Sequence, residues 1–108
     1  ILLIHHPPLP QSLDLLRALR DRGALRRLLA EVGCELVLHG HEHRDVRSTL
    51  PGPRGDIPVI GVGSGTYSDP RPDRAARYNI YTVTETSPAR FEFTVEQRVF
   101  SAAQGAFT

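Results

Sequence analysis

Five histidines are the residues of this chain best suited to chemistry, and three of them fall in the stretch Leu38–Asp45, LHGHEHRD. Neutral imidazole is a good ligand for divalent transition metals, so a cluster of this kind points to a metal site. His41 and His43 stand two apart, and an extended backbone would put both rings on one face, able to reach one ion or two adjacent ones. Gly40, just before them, is expected to supply a tight turn with positive φ. The remaining pair, His5 and His6, follows the apolar run Ile1–Ile4. His39 precedes the glycine on the other side of the turn, so it is expected to pack or to support a ligand rather than to be one.

Those histidines need elements to position them. ILLI followed by HHPP reads as a strand covered on both faces and stopped by two prolines that cannot donate to a ladder. From Ser12 the apolar residues recur at helical steps: Leu13, Leu16 and Leu19, then Ala24, Leu25, Leu28, Leu29 and Val32, with arginines on the opposite face. Gly23 interrupts the pattern. Two short helices follow, the second starting near Asp21 or Arg22 and closed by Gly33.

Glu35–Leu38 is the next strand, and its carboxyl end delivers the histidine loop. Strand, helix, strand in that order predicts a βαβ unit with parallel strands and a right-handed crossover. Both strands then end on one side, which brings His5 and His6 towards His41 and His43. Beyond Asp45 the chain alternates in the manner of strands over Val46–Leu50, Ile57–Val62, Arg77–Val83 and Phe91–Val99, joined by PGPRGD, GSGTYSDPRPD and ETSPAR. Antiparallel pairing is expected there. The tail, SAAQGAFT over 101–108, has no periodicity and is expected to be loose. The fold class is α/β, one half-domain over residues 1–108 rather than two domains.

Bulk properties remove other classes of function. The formal charge is +1 on 108 residues, with 13 basic and 12 acidic side chains intermixed. No strong field for nucleic acid or an anionic membrane results. All the basic residues are arginines, from which no chemistry follows. The single cysteine, Cys34, cannot form an internal disulfide and rules out the usual cysteine-based zinc spacings; it is expected to be a small core residue. No apolar run reaches membrane-spanning length. One free cysteine and no leader lead us to expect a cytoplasmic protein. Ile1–Ile4 looks like a strand entered midway, so a segment before Ile1 is expected.

GHEH at Gly40–His43 resembles the GHxH block of the calcineurin-like metallophosphoesterase superfamily. IHHPPLP at Ile4–Pro10 is similar to that family's preceding block, a strand ending in histidine with a proline soon after. Downstream, IPVIGVGSGTYSD and RYNIYTV resemble the carboxyl half of bacterial members, including those similar to cyclic-nucleotide phosphodiesterases. The resemblance runs in order along nearly the whole chain. It implies the carboxyl half of a four-layer α/β/β/α sandwich and a site for two divalent or mixed-valence ions, Mn, Fe or Zn. His5 and His41 would share one ion, and His43 would hold its neighbour. His6 sits at a variable position and Glu42 at the variable x of GHxH, so neither is expected to ligate. Ser64, Gly65 and Tyr67 are candidates for a substrate wall.

The family's amino-terminal blocks, DxH, GDxxD and GNH, do not occur here; the single Gly-Asp pair, GDIP at Gly55–Pro58, lacks the second aspartate. Three neutral imidazoles cannot hold two dications a few ångströms apart without carboxylate to offset the repulsion. The chain by itself is therefore expected to hold at most one ion weakly and to lack activity, and its partners would be the missing amino-terminal segment and a phosphate ester or nucleotide. The resemblance implies hydrolysis of phosphate mono- or diesters. The alternative is a module that binds a single metal, or is purely structural, and does no chemistry.

Overall fold

The computed structural model describes residues 1–9, 19–67 and 71–108. The chain forms two compact units, Ile1–Val62 and Gly63–Thr108, where the sequence pattern had suggested one half-domain. Both are treated separately below.

The first unit is built on strand β1 (Leu2–Ile4), helix α1 (Arg22–Val32), and strands β2 (Val37–His39), β3 (Val46–Leu50) and β4 (Ile57–Gly61). The four strands lie in the order β1-β2-β4-β3. β2 runs parallel to both β1 and β4, with Leu2 opposite Val37, Ile4 opposite His39 and His39 opposite Gly61. β3 returns antiparallel along β4. The expected strand, helix and parallel strand are present. Val37 and Val59, register partners on the two inner strands, are fully buried, whereas Leu3 of β1 is 72% exposed, so β1 is not covered on both faces as its apolar run suggests.

α1 begins near Asp21, as its pattern predicts, and ends where Gly33 takes φ 81° and its N–H donates to the Leu29 carbonyl. With ψ at 169° this backbone leaves the helix, and glycine occupies it without a Cβ clash. Leu29 is the helix residue that is buried, and it joins Val37, Leu50, Ile57 and Val59 in the core. Leu2, Ile4, Leu9, Leu25 and Cys34 pack against that cluster. Cys34 thus has the core role expected of it. The earlier helix, predicted from Ser12, falls largely outside the described residues.

The second unit is dominated by a long hairpin, β5 (Arg77–Ser87) paired antiparallel with β6 (Arg90–Ser101). Both strands extend several residues beyond the predicted stretches. Cross-strand pairs such as Val83 with Phe93 and Tyr81 with Val95 place β-branched and aromatic side chains opposite each other. The tail is not loose: Ala106–Phe107 forms β7 against Phe100–Ser101, and Val99 and Thr108 exchange both backbone hydrogen bonds at 3.0 Å. Gly105, at φ 63°, makes the reversal, and the Phe107 ring meets Tyr78 and Phe100 edge-on. The tail has only two paired residues in β7, too few to show a periodicity, yet its aromatic anchor secures it.

The described residues form a mixed α/β structure. None of their helices is long and apolar enough to cross a membrane.

Candidate metal centre

β1 ends at Ile4, and the chain then presents His5 and His6 before Pro7 and Pro8, whose side chains are fully buried. Those prolines pin the segment, and the Arg26 guanidinium reaches from α1 to the Pro8 carbonyl. On the neighbouring strand β2 ends at His39, and the Gly40 N–H donates to the His5 carbonyl, tying the two strand ends together at 3.2 Å. The histidines of the two segments therefore meet because two parallel strands stop side by side.

The donor atoms of His5, His6 and His41 lie within 4.8 Å of one another. The nitrogens His41 Nδ1 and His5 Nε2 are 3.3 Å apart. Two imidazole nitrogens on one tetrahedral ion at about 2.0–2.1 Å would be separated by roughly 3.3–3.4 Å, so this pair already has a ligand-like spacing. The same distance allows one ring to donate a hydrogen bond to the other when no ion intervenes. His6 lies over His41 with ring centroids 4.3 Å apart and meets His5 edge-on.

Of the residues singled out from the sequence, the structure brings together His5 and His41 and adds His6, a position at which ligation was not expected. His43 is not a member of this trio. Sequence reasoning passed over His6 because a variable position carries no pattern; the signal that could have found it is its place beside His5 at the same strand end.

The loop takes a different conformation from the one its spacing suggested. Positive φ falls on His41, at 67°, and on His43, at 52°, and not on Gly40. The two histidines are left-handed rather than extended, so they do not share a face in the manner of a strand. A three-residue turn closes around His41, with the Glu42 N–H donating to the Gly40 carbonyl at 2.9 Å. Turns of this kind with positive φ at the centre are rare and strained. Histidine is among the few side chains enriched in the left-handed region, and strain of this sort concentrates at functional sites.

The carboxylates of the loop point elsewhere. Glu42 pairs with Arg44 at 3.6 Å and Asp45 with Arg47 at 3.7 Å. The trio is thus an all-imidazole set, suited to one borderline divalent ion with water completing the shell. As a donor set it fits a single dication and lacks the anionic ligand that a second would need.

His39 is buried, with 4% of its surface exposed. Its Nδ1 lies 3.0 Å from the Gly40 carbonyl oxygen. Ser64, Gly65 and Tyr67 belong to the second unit, where the Ser64 hydroxyl accepts hydrogen bonds from the backbone N–H groups of Thr66 and Tyr67. That arrangement organises the turn itself.

At adjacent strand ends of a mixed α/β unit, three imidazoles thus offer ligand atoms within reach of one ion. No family model matches the chain. It is similar to the cAMP/cGMP dual specificity phosphodiesterase of Mycobacterium tuberculosis (strain CDC 1551 / Oshkosh), with 41% identity over 70 residues that make up 63% of this chain. Those residues are 21% of that protein, so the chain spans about a fifth of the length of the curated relative it matches. The relationship is phosphodiesterase-like at that coarse level.

Proposed function

We propose that this chain carries the histidine half of a metal-dependent phosphoesterase site that hydrolyses phosphate mono- or diesters, within the carboxyl half of a four-layer α/β/β/α sandwich. The observation that carries the reading is the convergence of His5, His6 and His41 at two parallel strand ends, in a chain similar to a protein named as a phosphodiesterase. His5 and His41 would hold one ion and His43 its neighbour. His6, whose donor atom lies within 4.8 Å of theirs, is the third imidazole available to the first ion. The chemistry that Mn, Fe or Zn would supply there is activation of water near neutral pH and polarisation of the phosphoryl group. The carboxylates that offset the charge of two ions come from outside these residues, since Glu42 and Asp45 are engaged by Arg44 and Arg47. A phosphate ester or nucleotide is the substrate, and the name of the relative makes a cyclic nucleotide the first to try.

The experiment is Mn²⁺-dependent hydrolysis of a chromogenic phosphodiester and of cAMP by the full-length gene product. Turnover that His5→Ala and His41→Ala abolish is the expected result. Undiminished hydrolysis by both variants would sink the proposal. A second reading, binding of one ion without chemistry, draws on the absence of any carboxylate from the described trio. Near-stoichiometric Zn²⁺ uptake by the 108-residue chain, with no hydrolysis by the full-length gene product, would favour that second reading.

A further inference from the structure

His39 is a buried imidazole that none of the chemistry above uses. It occupies the last position of β2, flanked in register by Ile4 on β1 and Gly61 on β4. Its Nε2 is buried without a hydrogen-bond partner among the described residues. A leucine or phenylalanine would fill such a place without burying an unsatisfied nitrogen. Something must therefore favour the ring, and its other nitrogen shows what.

A carbonyl oxygen has no proton to give, so the 3.0 Å contact with the Gly40 oxygen requires His39 Nδ1 to carry the hydrogen. The same oxygen accepts the Glu42 N–H at 2.9 Å. Both of its lone pairs are thus engaged, one from the ring and one from the backbone. Meanwhile the Gly40 N–H is held by the His5 carbonyl. The peptide between Gly40 and His41 is fixed by these contacts, and that peptide sets the direction in which the His41 side chain leaves a backbone at φ 67°. Behind the ring there is no slack: a Cβ on Gly61 would lie 2.5 Å from His39 Cε1 and 2.8 Å from Nε2.

We infer that His39 is a positioning residue, whose Nδ1–H holds the Gly40 carbonyl so that the strained turn keeps His41 Nδ1 beside His5 Nε2. This rests on the proposal that His5 and His41 hold a metal, and it adds the device that keeps one ligand in place. Partners that orient a metal-binding imidazole commonly change metal affinity by about 10–100-fold when they are removed.

The test is Zn²⁺ titration by calorimetry of the wild-type chain, His39→Leu, His39→Asn and His41→Ala, with thermal unfolding of each recorded without metal. Asparagine can place an amide N–H near the position of Nδ1, whereas leucine fills space only. The expected result is a loss of about 10–100-fold in affinity for His39→Leu and recovery of most of it in His39→Asn. A structural role alone would not distinguish donor from non-donor in this way. Wild-type affinity in His39→Leu, with binding lost in His41→Ala, overturns the inference and leaves the metal site standing. Failure of the wild-type chain to bind Zn²⁺ overturns both. Should His39→Leu not fold, long-range nitrogen–proton spectra of the wild-type chain decide: a hydrogen on Nδ1 supports the assignment and one on Nε2 refutes it.

Discussion

His41 Nδ1 lies 3.3 Å from His5 Nε2 although the two residues are 36 positions apart in the chain. Parallel pairing of β1 and β2 makes the contact, because Ile4 and His39 are register partners and each strand releases its histidines immediately afterwards. The separation matches that of two ligands on one tetrahedral ion.

The roles of His6 and His43 separate experimentally. His6 is in the trio with its donor atom within 4.8 Å of the others, and His43 is not. In the 108-residue chain, His6→Ala should weaken Zn²⁺ binding by at least about tenfold, whereas His43→Ala should leave it near wild type. In the full-length gene product, His43→Ala should instead abolish hydrolysis while one ion is still bound. Calorimetry and metal analysis read the first two outcomes, and turnover reads the last. Equal loss of Zn²⁺ affinity in both variants would contradict the grouping.

Two glycines near the site should respond in opposite ways. A Cβ at Gly61 would collide with the buried His39 ring, while one at Gly40 meets only His5 Nδ1, at 3.9 Å. Gly61→Ala is expected to cost about 1–3 kcal/mol through overpacking. Gly40→Ala has no left-handed φ to violate and should be neutral or stabilising by up to about 1 kcal/mol. Urea denaturation of the two variants checks the difference in sign.

Leu29 is the anchor of α1. It is 5% exposed and packs with the sheet residues Val37, Leu50, Ile57 and Val59. Truncation to alanine should destabilise the first unit by about 2–5 kcal/mol, from lost burial and the cavity left behind. Leu28, 52% exposed on the same helix, should tolerate alanine with less than about 1 kcal/mol lost. Similar unfolding midpoints for the two variants would disprove the packing described.

Hydrogen exchange tests the tail. Val99 and Thr108 donate to each other's carbonyls, and Phe107 holds the return strand through Tyr78 and Phe100. Both amides should be protected in the wild-type chain and lose protection in Phe107→Ala, since each aromatic pair contributes about 0.5–1.5 kcal/mol beyond its burial. Rapid exchange at Val99 in the unaltered chain would count against β7.

Legibility varied along the chain for physical reasons. The second helix could be read from the spacing of Leu25, Leu29 and Val32 and from Gly33 as its stop, since both signals are local. The parallel pairing of β1 and β2 followed from their order with a helix between. Conformation within the histidine loop was not legible. Glycine is the usual bearer of positive φ, so Gly40 drew the expectation, whereas hydrogen bonds from His39 and Glu42 to its carbonyl put the left-handed geometry on the residues after it. Those bonds are local, spanning one and two residues, but no spacing of residue types announces them. His6 was passed over because it sits at a variable position of the resembled block; β1 ends at Ile4, and the turn beyond it brings both rings towards His41.

The left-handed backbone at His41 and His43 also narrows which amino acids can stand there. Of the side chains that can coordinate a metal, only histidine, asparagine and aspartate are at ease at φ near 60°. Cysteine and glutamate would begin with a conformational handicap before any bond to an ion formed. The loop thus admits a short chemical alphabet, and exchanges between nitrogen and oxygen donors at these two places must pass through it.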